Sequence, residues 1–116
     1  MVKKEIKIIT DAMLEKKGEG VLALDLRPVG TAISDFFVVC NASSTTQVRA
    51  IADNIEERMY ELLKTKPMHK QGTENGIWVI LDYGTAVVHI FQTEYRNFYR
   101  LEDLWADAKR TEFKDE

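Results

Sequence analysis

The stretch from Trp78 to Phe91 constrains the fold more than any other part of this sequence. Two runs rich in valine and isoleucine flank a short segment, Asp82-Tyr83-Gly84-Thr85. Such runs on either side of a glycine-containing turn predict a β-hairpin. Each run is apolar at nearly every position, which is typical of strands covered on both faces. If Tyr83-Gly84 forms the turn, Trp78 pairs with His89, whereas a three-residue turn shifts that register.

The rest of the chain predicts helices and strands arranged around this hairpin. Ser44 and Gln47 fit a capping box at the start of a helix. That helix follows a continuous apolar run, typical of a central strand, and precedes the strand at Trp78, so we expect a right-handed βαβ unit. The predicted elements are a helix over 3–17, strands at Val21–Leu26 and Asp35–Asn41, a helix from Ser44 to about Leu63, a short edge strand within 68–76, the hairpin, and a helix from Thr93.

These elements predict an α/β fold of mixed α+β type, with helices flanking a mixed sheet of about five strands. Leu22, Leu24 and Leu26 share one side of their strand, and the residues between them share the other. The length suits one domain over residues 1–116 with one core. The charged tail from about Lys109 is expected to fray.

Composition narrows the class of protein. Apolar residues make up 45% of the chain and charged residues 30%, as in globular proteins. No apolar run approaches the roughly 20 residues that a membrane helix needs, and the charged start at Met1–Glu5 does not resemble a signal peptide. The lone Cys40 predicts a buried thiol without an internal disulfide, as in a reducing cytoplasm. A net charge of −3 disfavours a direct nucleic-acid binder and suits a basic protein partner.

The sequence lacks the residue patterns that metal-dependent catalysis and nucleophilic catalysis need. The two histidines, His69 and His89, come without a cysteine pair, so neither a metal site nor a cofactor is expected. No Gly-x-Ser-x-Gly motif supports a hydrolase. The alternative function is a nucleotidyl- or phosphoryl-transfer enzyme that positions two metal ions with Asp25, Asp35 and Asp82. The lack of an Asp-x-Asp pair and of a glycine-rich phosphate loop favours a non-catalytic domain.

Aromatic and apolar side chains are concentrated in the hairpin and the segment after it. Taken together they offer more surface than one small core readily absorbs, and tryptophan and tyrosine are favoured anchors of protein interfaces. A protein-binding face is therefore the favoured interpretation, and a plain hydrophobic core is the alternative. The residues concerned are Trp78, Ile80, Tyr83, His89, Phe91, Tyr95, Phe98, Tyr99 and Trp105.

Over about residues 3 to 106, the sequence resembles the iojap family, the ribosomal silencing factors. The hairpin and the helix after it carry the most specific part of the resemblance. The sequence departs from the common family pattern at four places. It has Asn41-Ala42 where members often carry Thr-Gly, and Thr46-Gln47 where they often carry Arg-His. It has Gln71-Gly72 in place of the frequent Glu-Gly, and Thr85 in place of the frequent Asp. The matching segments are Ser34–Cys40, Ser43-Ser44, Val48–Asp53, Trp78–Gly84 and Val87–Phe91, followed by Arg96, Tyr99, Leu101-Glu102 and Leu104-Trp105.

The resemblance implies a non-catalytic translation repressor of the cytoplasm. Family members bind the large ribosomal subunit through its ribosomal protein number fourteen and sterically keep the small subunit from docking. Organelle relatives act in large-subunit assembly, and homodimers are common. The implied fold is similar to a nucleotidyltransferase-like α/β sandwich without its catalytic acids.

The resemblance and the aromatic cluster together predict a partner-binding site centred on the hairpin. Trp78 is the expected apolar anchor, and Asp82 is expected to meet a basic side of the ribosomal protein. His89 is expected to orient polar groups at the rim or to support the strand from beneath. The predicted partner-binding residues are Trp78, Ile80, Asp82, Tyr83, His89, Arg96 and Tyr99.

Overall fold

The computed structural model describes the backbone of residues 2–27, 35–99 and 109–113, and the side chains of 4–27 and 35–96. Within these ranges, two long helices and one short helix accompany one sheet. No described helix is both long and apolar enough to cross a membrane. In chain order the elements are α1 (Val2–Glu15), β1 (Glu19–Asp25), β2 (Phe36–Ala42), α2 (Thr45–Leu63), β3 (His69–Gln71), β4 (Trp78–Asp82), β5 (Ala86–Gln92), α3 (Thr93–Tyr99) and β6 (Lys109–Phe113).

The strands form one mixed sheet in the order β3-β4-β5-β2-β1-β6. β2 and β5 pair in parallel, and every other neighbouring pair of described strands is antiparallel. The predicted fold class, a mixed sheet with flanking helices, is therefore confirmed. β2 is a central strand, as its continuous apolar run predicts.

The sheet contains one more strand than the predicted set, because the predicted fraying of the tail is wrong for Lys109–Phe113. This segment forms β6 and pairs with β1, from Val21 opposite Phe113 to Asp25 opposite Lys109. An edge strand is held by backbone hydrogen bonds along one side, so a charged sequence without apolar alternation can still pair.

The hairpin register differs from the predicted one by two residues. Trp78 pairs with Phe91, and Ile80 pairs with His89. The Tyr83 N–H donates to the Ala86 carbonyl over 2.9 Å, so the turn is formed by Gly84-Thr85, one residue further along the chain than the predicted Tyr83-Gly84. A shift of two residues keeps every side chain on its face of the sheet, so Trp78 and His89 remain on the same side.

The predicted βαβ unit is wrong in its second strand. The parallel neighbour of β2 is β5, whereas β4 lies one position further out and runs antiparallel to β5. Burial along the strands explains this order. Every residue of β5 except the last is buried, while β4 alternates between buried and partly exposed positions. The more uniformly apolar strand therefore occupies the centre of the sheet.

Helices α1 and α2 cover one face of the sheet and form the main core with it. Ile9 and Met13 of α1 and Ile51 and Ile55 of α2 are fully buried in this core. The strand side chains that meet them include Val21 and Ala23 of β1, Val38 and Cys40 of β2, Val79 and Leu81 of β4, and Val88 and Ile90 of β5.

The end of α1 and the start of α2 are joined through Gln47. The Ser44 hydroxyl accepts a hydrogen bond from the Gln47 backbone N–H over 3.1 Å, so this half of the predicted capping box is confirmed. The Gln47 side chain instead donates from Nε2 to the carbonyls of Lys16 and Lys17, at 3.1 and 3.2 Å. It thereby satisfies carbonyls beyond the last turn of α1 that would otherwise lack a partner.

The opposite side of the sheet, here called the far face, carries a second layer of apolar side chains. Tyr95 of α3 packs over part of this layer. The grouping of Leu22, Leu24 and Leu26 on one side of β1 is as predicted. The far face consists of these leucines together with Phe37 and Val39 of β2, Val87, His89 and Phe91 of β5, and Trp78, Ile80 and Asp82 of β4.

A candidate protein-binding site on the far face

Trp78 stands at the start of β4 with its indole held by two neighbours. Its ring stacks on Phe91, with ring centroids 5.0 Å apart and an interplanar angle of 25°. Its Nε1–H donates a hydrogen bond to His89 Nδ1 over 3.1 Å. Both contacts follow from the register, because Phe91 is the direct partner of Trp78 and His89 is the next β5 residue on that face. The indole is therefore fixed in orientation while remaining only partly buried.

His89 lies beneath this indole, with only 5% of its surface exposed. Its ring centroid is 4.6 Å from that of Phe37. Burial lowers the pKa of His89 to about 4, so the imidazole is neutral at pH 7. Nδ1 accepts the bond from Trp78, so Nε2 carries the proton; this nitrogen is buried without a hydrogen-bond partner in the described part of the chain. This position suits support of the strand from beneath rather than a place at the rim.

Ile80 and Asp82 continue the row that Trp78 begins. The three residues alternate along β4 and are all partly exposed. The Asp82 carboxylate accepts a hydrogen bond from the Gly84 backbone N–H over 2.8 Å, and Gly84 has a φ of 90°, a left-handed conformation that favours glycine. Asp82 is thus held at the hairpin turn, beside the apolar side chains of the row.

The structure separates the other predicted site residues from this row. Tyr83 is buried in the core on the helix side, and burial together with the negative charge of Glu56 raises the pKa of its hydroxyl. Arg96 of α3 donates from Nη1 to the Gly20 carbonyl at 2.7 Å and to Asn41 Oδ1 at 2.8 Å. Tyr99 belongs to α3, but its side chain lies outside the described residues, as do those of Phe98 and Trp105.

The three aspartates of the enzyme alternative do not converge. Asp25 holds Arg27, with Arg27 Nε–Asp25 Oδ1 and Nη2–Oδ2 distances of 2.9 and 2.7 Å. β5 and β2 lie between β4 and β1, so the strands of Asp82 and Asp25 are about 14 Å apart at the usual strand spacing. Among the described residues, no group of three histidine, cysteine, aspartate or glutamate side chains is placed to hold a metal ion.

A family model described as "Ribosomal silencing factor during starvation" matches residues 2–116. The chain belongs to this family. The ribosomal silencing factor of Bacillus subtilis is 38% identical over 104 residues, which cover 89% of this chain and 86% of the relative. The factor of Halalkalibacterium halodurans is 36% identical over 110 residues, covering 94% and 92%. A chloroplast Iojap protein of Arabidopsis thaliana is 33% identical over 85 residues, covering 70% of this chain and 34% of the relative.

Solved structures of similar proteins share the fold. A crystal structure from Bacillus halodurans has a TM-score of 0.82 at 32% identity and covers 96% of this chain and 99% of its own. One from Chromobacterium violaceum has a TM-score of 0.86 at 26% identity, covering 99% and 94%. The family consists of non-enzymatic ribosome-binding factors that regulate translation, and membership implies binding to the large ribosomal subunit.

Sequence reasoning on this ribosomal silencing factor missed two groups of neighbours of the row. Phe37 packs on His89 from the adjacent strand, which only the β2–β5 register reveals. His69 and Gln71 of β3 stand opposite Asp82 and Ile80. A strand of three residues is too short for its periodicity to reveal which side chains share a face. Only the pairing of β3 with β4 shows that His69 and Gln71 lie on the same face as Asp82 and Ile80.

Proposed function

We propose that this protein represses translation by binding ribosomal protein number fourteen of the large subunit and thereby blocking association with the small subunit. Family membership supports the large subunit as the target. A mouse relative is named for mitochondrial assembly of the large ribosomal subunit. It is 26% identical over 104 residues, which cover 87% of this chain and 45% of the relative. We further propose that the protein is cytoplasmic and that the free protein can form a homodimer.

The partly exposed row of Trp78, Ile80 and Asp82 carries the proposal. An indole that is already fixed by stacking and a hydrogen bond loses little side-chain entropy when a partner covers it. Interface hot spots are enriched in tryptophan and lie at the centre of a patch that excludes water. Trp78 and Ile80 supply such an apolar centre, and Asp82 beside them supplies one negative charge for a basic partner residue.

The remaining predicted residues contribute to this proposal in different ways. His89 orients the indole by accepting its N–H. Tyr83 supports the hairpin turn from the core on the helix side. Arg96 ties α3 to the ends of β1 and β2, so it positions the helix that borders the face. We keep Tyr99 as a candidate contact at the end of α3.

Replacing Trp78 with alanine tests the proposed anchor. We expect Trp78→Ala to weaken binding to isolated large subunits about 30-fold or more, since loss of a hot-spot side chain costs about 2 kcal/mol or more. Binding is measured by co-sedimentation, on variants whose circular dichroism matches that of the wild type. Small-subunit joining, followed by light scattering, should recover in parallel.

The matched control is Tyr60→Ala, which removes another exposed aromatic side chain. Tyr60 is 49% exposed and lies on α2, on the other side of the sheet. We expect this variant to bind large subunits as the wild type does. Equal losses for the two variants, or none for folded Trp78→Ala, would remove the far face from the interface. A pull-down with isolated ribosomal protein number fourteen tests the identity of the partner.

A further inference from the structure

The edge strand β3 extends the far face beyond the row on β4. His69 stands directly opposite Asp82, and Gln71 stands directly opposite Ile80. Side chains of directly paired residues in an antiparallel sheet point to the same face, with Cβ atoms about 5 Å apart. Both residues are exposed. They therefore flank the row of Trp78, Ile80 and Asp82 on its outer side.

Lys70, between them, faces the other way. It pairs with Leu81, a fully buried residue of the core on the helix side. Its Nζ lies 3.2 Å from a carboxylate oxygen of Glu56 on α2. The strand thus presents His69 and Gln71 to one side of the sheet and Lys70 to the other, within three consecutive residues.

We infer that the partner-binding face continues across β3, where His69 and Gln71 form its polar rim against ribosomal protein number fourteen. This inference rests on the function proposed above. Protein interfaces combine an apolar centre with a polar, solvent-accessible rim that carries hydrogen bonds. Trp78 and Ile80 form the centre. The rim gains a side-chain amide and an imidazole, which both donate and accept hydrogen bonds, next to the single carboxylate of Asp82.

The position of β3 in the sheet favours this continuity. β3 is the last strand on its side of the described sheet, so no other described strand lies beyond it. A partner that covers Ile80 also meets the residue paired with it, because neighbouring strands are only about 4.8 Å apart. The rim therefore fits a protein surface with polar groups placed around an apolar contact and a basic group near Asp82.

Cross-linking from single introduced cysteines tests the inference directly. The native Cys40 is fully buried, and burial raises the pKa of its thiol to about 12, so thiol reagents should label only an introduced cysteine. The variants are His69→Cys, Lys70→Cys and Gln71→Cys, each labelled with a maleimide–diazirine cross-linker and irradiated with large subunits. Ile80→Cys reports on the proposed row itself. Cross-linked ribosomal proteins are identified by mass spectrometry.

We expect His69→Cys and Gln71→Cys to label the same ribosomal protein as Ile80→Cys, and Lys70→Cys to give less than one tenth of their yield. Labelling from Ile80→Cys without labelling from positions 69 and 71 would overturn the inference and leave the proposed function standing. Equal labelling from Lys70→Cys would also overturn it. Failure of all four positions would overturn the inference and the proposed function together.

An affinity measurement complements the cross-linking. The double variant His69→Ala/Gln71→Ala should bind large subunits about 3- to 10-fold more weakly, as expected for two solvent-accessible hydrogen bonds. Lys70→Ala is the control on the same strand and should bind as the wild type does. An unchanged affinity of the double variant, or an equal loss in Lys70→Ala, would count against the rim.

Discussion

His89 places a neutral imidazole inside a face built from aromatic rings. Its neighbours there are Phe37, Phe91 and Trp78, and it accepts a hydrogen bond from the indole of Trp78. The neutral form is required, because a protonated imidazole has no lone pair to accept the Trp78 N–H. Protonation of His89 therefore removes the bond that orients Trp78.

This residue predicts a dependence of stability on pH. Its pKa is about 4 in the folded protein and about 6.5 when unperturbed, so the unfolded state binds more protons between these values. Stability from this group is present above about pH 6.5 and is lost as the pH falls toward 4. We expect it to lower the free energy of unfolding by about 2 kcal/mol between pH 7 and pH 5.

Urea unfolding at both pH values measures this effect. The control is His89→Gln, which does not titrate in this range and keeps an acceptor for the indole. Other groups contribute equally to both proteins, so the difference between them isolates His89. A wild-type decrease no larger than that of His89→Gln would contradict the buried neutral histidine.

Among the elements, β6 shows how pairing can override local sequence. The segment contributes the outer neighbour of β1, and its five residues pair with Val21 to Asp25. Without it, β1 would become the edge of the sheet and expose a row of unpaired backbone groups. β1 is flanked by apolar side chains on both faces, so this edge would also favour aggregation.

Truncation after residue 108 should therefore destabilise the protein. We expect a loss of about 2 kcal/mol or more, from several backbone hydrogen bonds at about 0.5–1.5 kcal/mol each. Thermal unfolding and light scattering measure the loss and the aggregation. Truncation after Phe113 is the control, because it keeps all of β6. Equal stability of the two truncated proteins would show that β6 does not support β1.

Where an element has strong local signals, the sequence predicts it well. The alternation of Leu22, Leu24 and Leu26 identifies the far-face side of β1, and Ser44 identifies the start of α2. The hairpin is also predicted, but its register depends on the Asp82–Gly84 turn bond, which residue types do not determine. β6 is missed because edge pairing is a property of two segments rather than of one.

The candidate site is predictable to a similar extent. Trp78, Ile80 and Asp82 are alternate residues of one strand. Their side chains therefore share a face whatever the pairing of that strand, and the sequence alone predicts their grouping. The separation of Tyr83 does not follow, because the predicted turn includes Tyr83 and residues in a turn leave the alternation of the strands. Neither does the link from Arg96 to Gly20, since nothing local connects residues so distant in the chain.

At the scale of the whole molecule, Arg96 connects α3 with the first half of the sheet. Its guanidinium contacts the Gly20 carbonyl of β1 and the side chain of Asn41 of β2. Asn41 in turn donates from Nδ2 to the Thr93 hydroxyl over 3.0 Å. Gly20 leaves room for this contact, because a Cβ there would lie 2.5 Å from Arg96 Nη1. Three separate parts of the chain thus meet at one point.

Removing this guanidinium should lower the stability of the whole protein. We expect Arg96→Met to reduce the free energy of unfolding by about 1–3 kcal/mol, because it leaves the acceptors of Asn41 and Gly20 without their donor. Chemical denaturation measures the change. Arg49→Met is the control, since Arg49 donates to the Glu74 carbonyl at an exposed site. A loss no greater than that of the control would contradict the proposed link.

The parallel pairing of β2 with β5 sets an order of events during synthesis. Phe36 pairs with Ala86, so paired residues of the two strands are 50 positions apart in the chain. At about 5–20 residues per second, a ribosome takes roughly 3 to 10 seconds to make the intervening chain. Throughout that interval β2, with its largely apolar side chains, lacks one of its two neighbouring strands. During this time β2 can pair with a wrong strand, and the nascent chain is still attached to the ribosome.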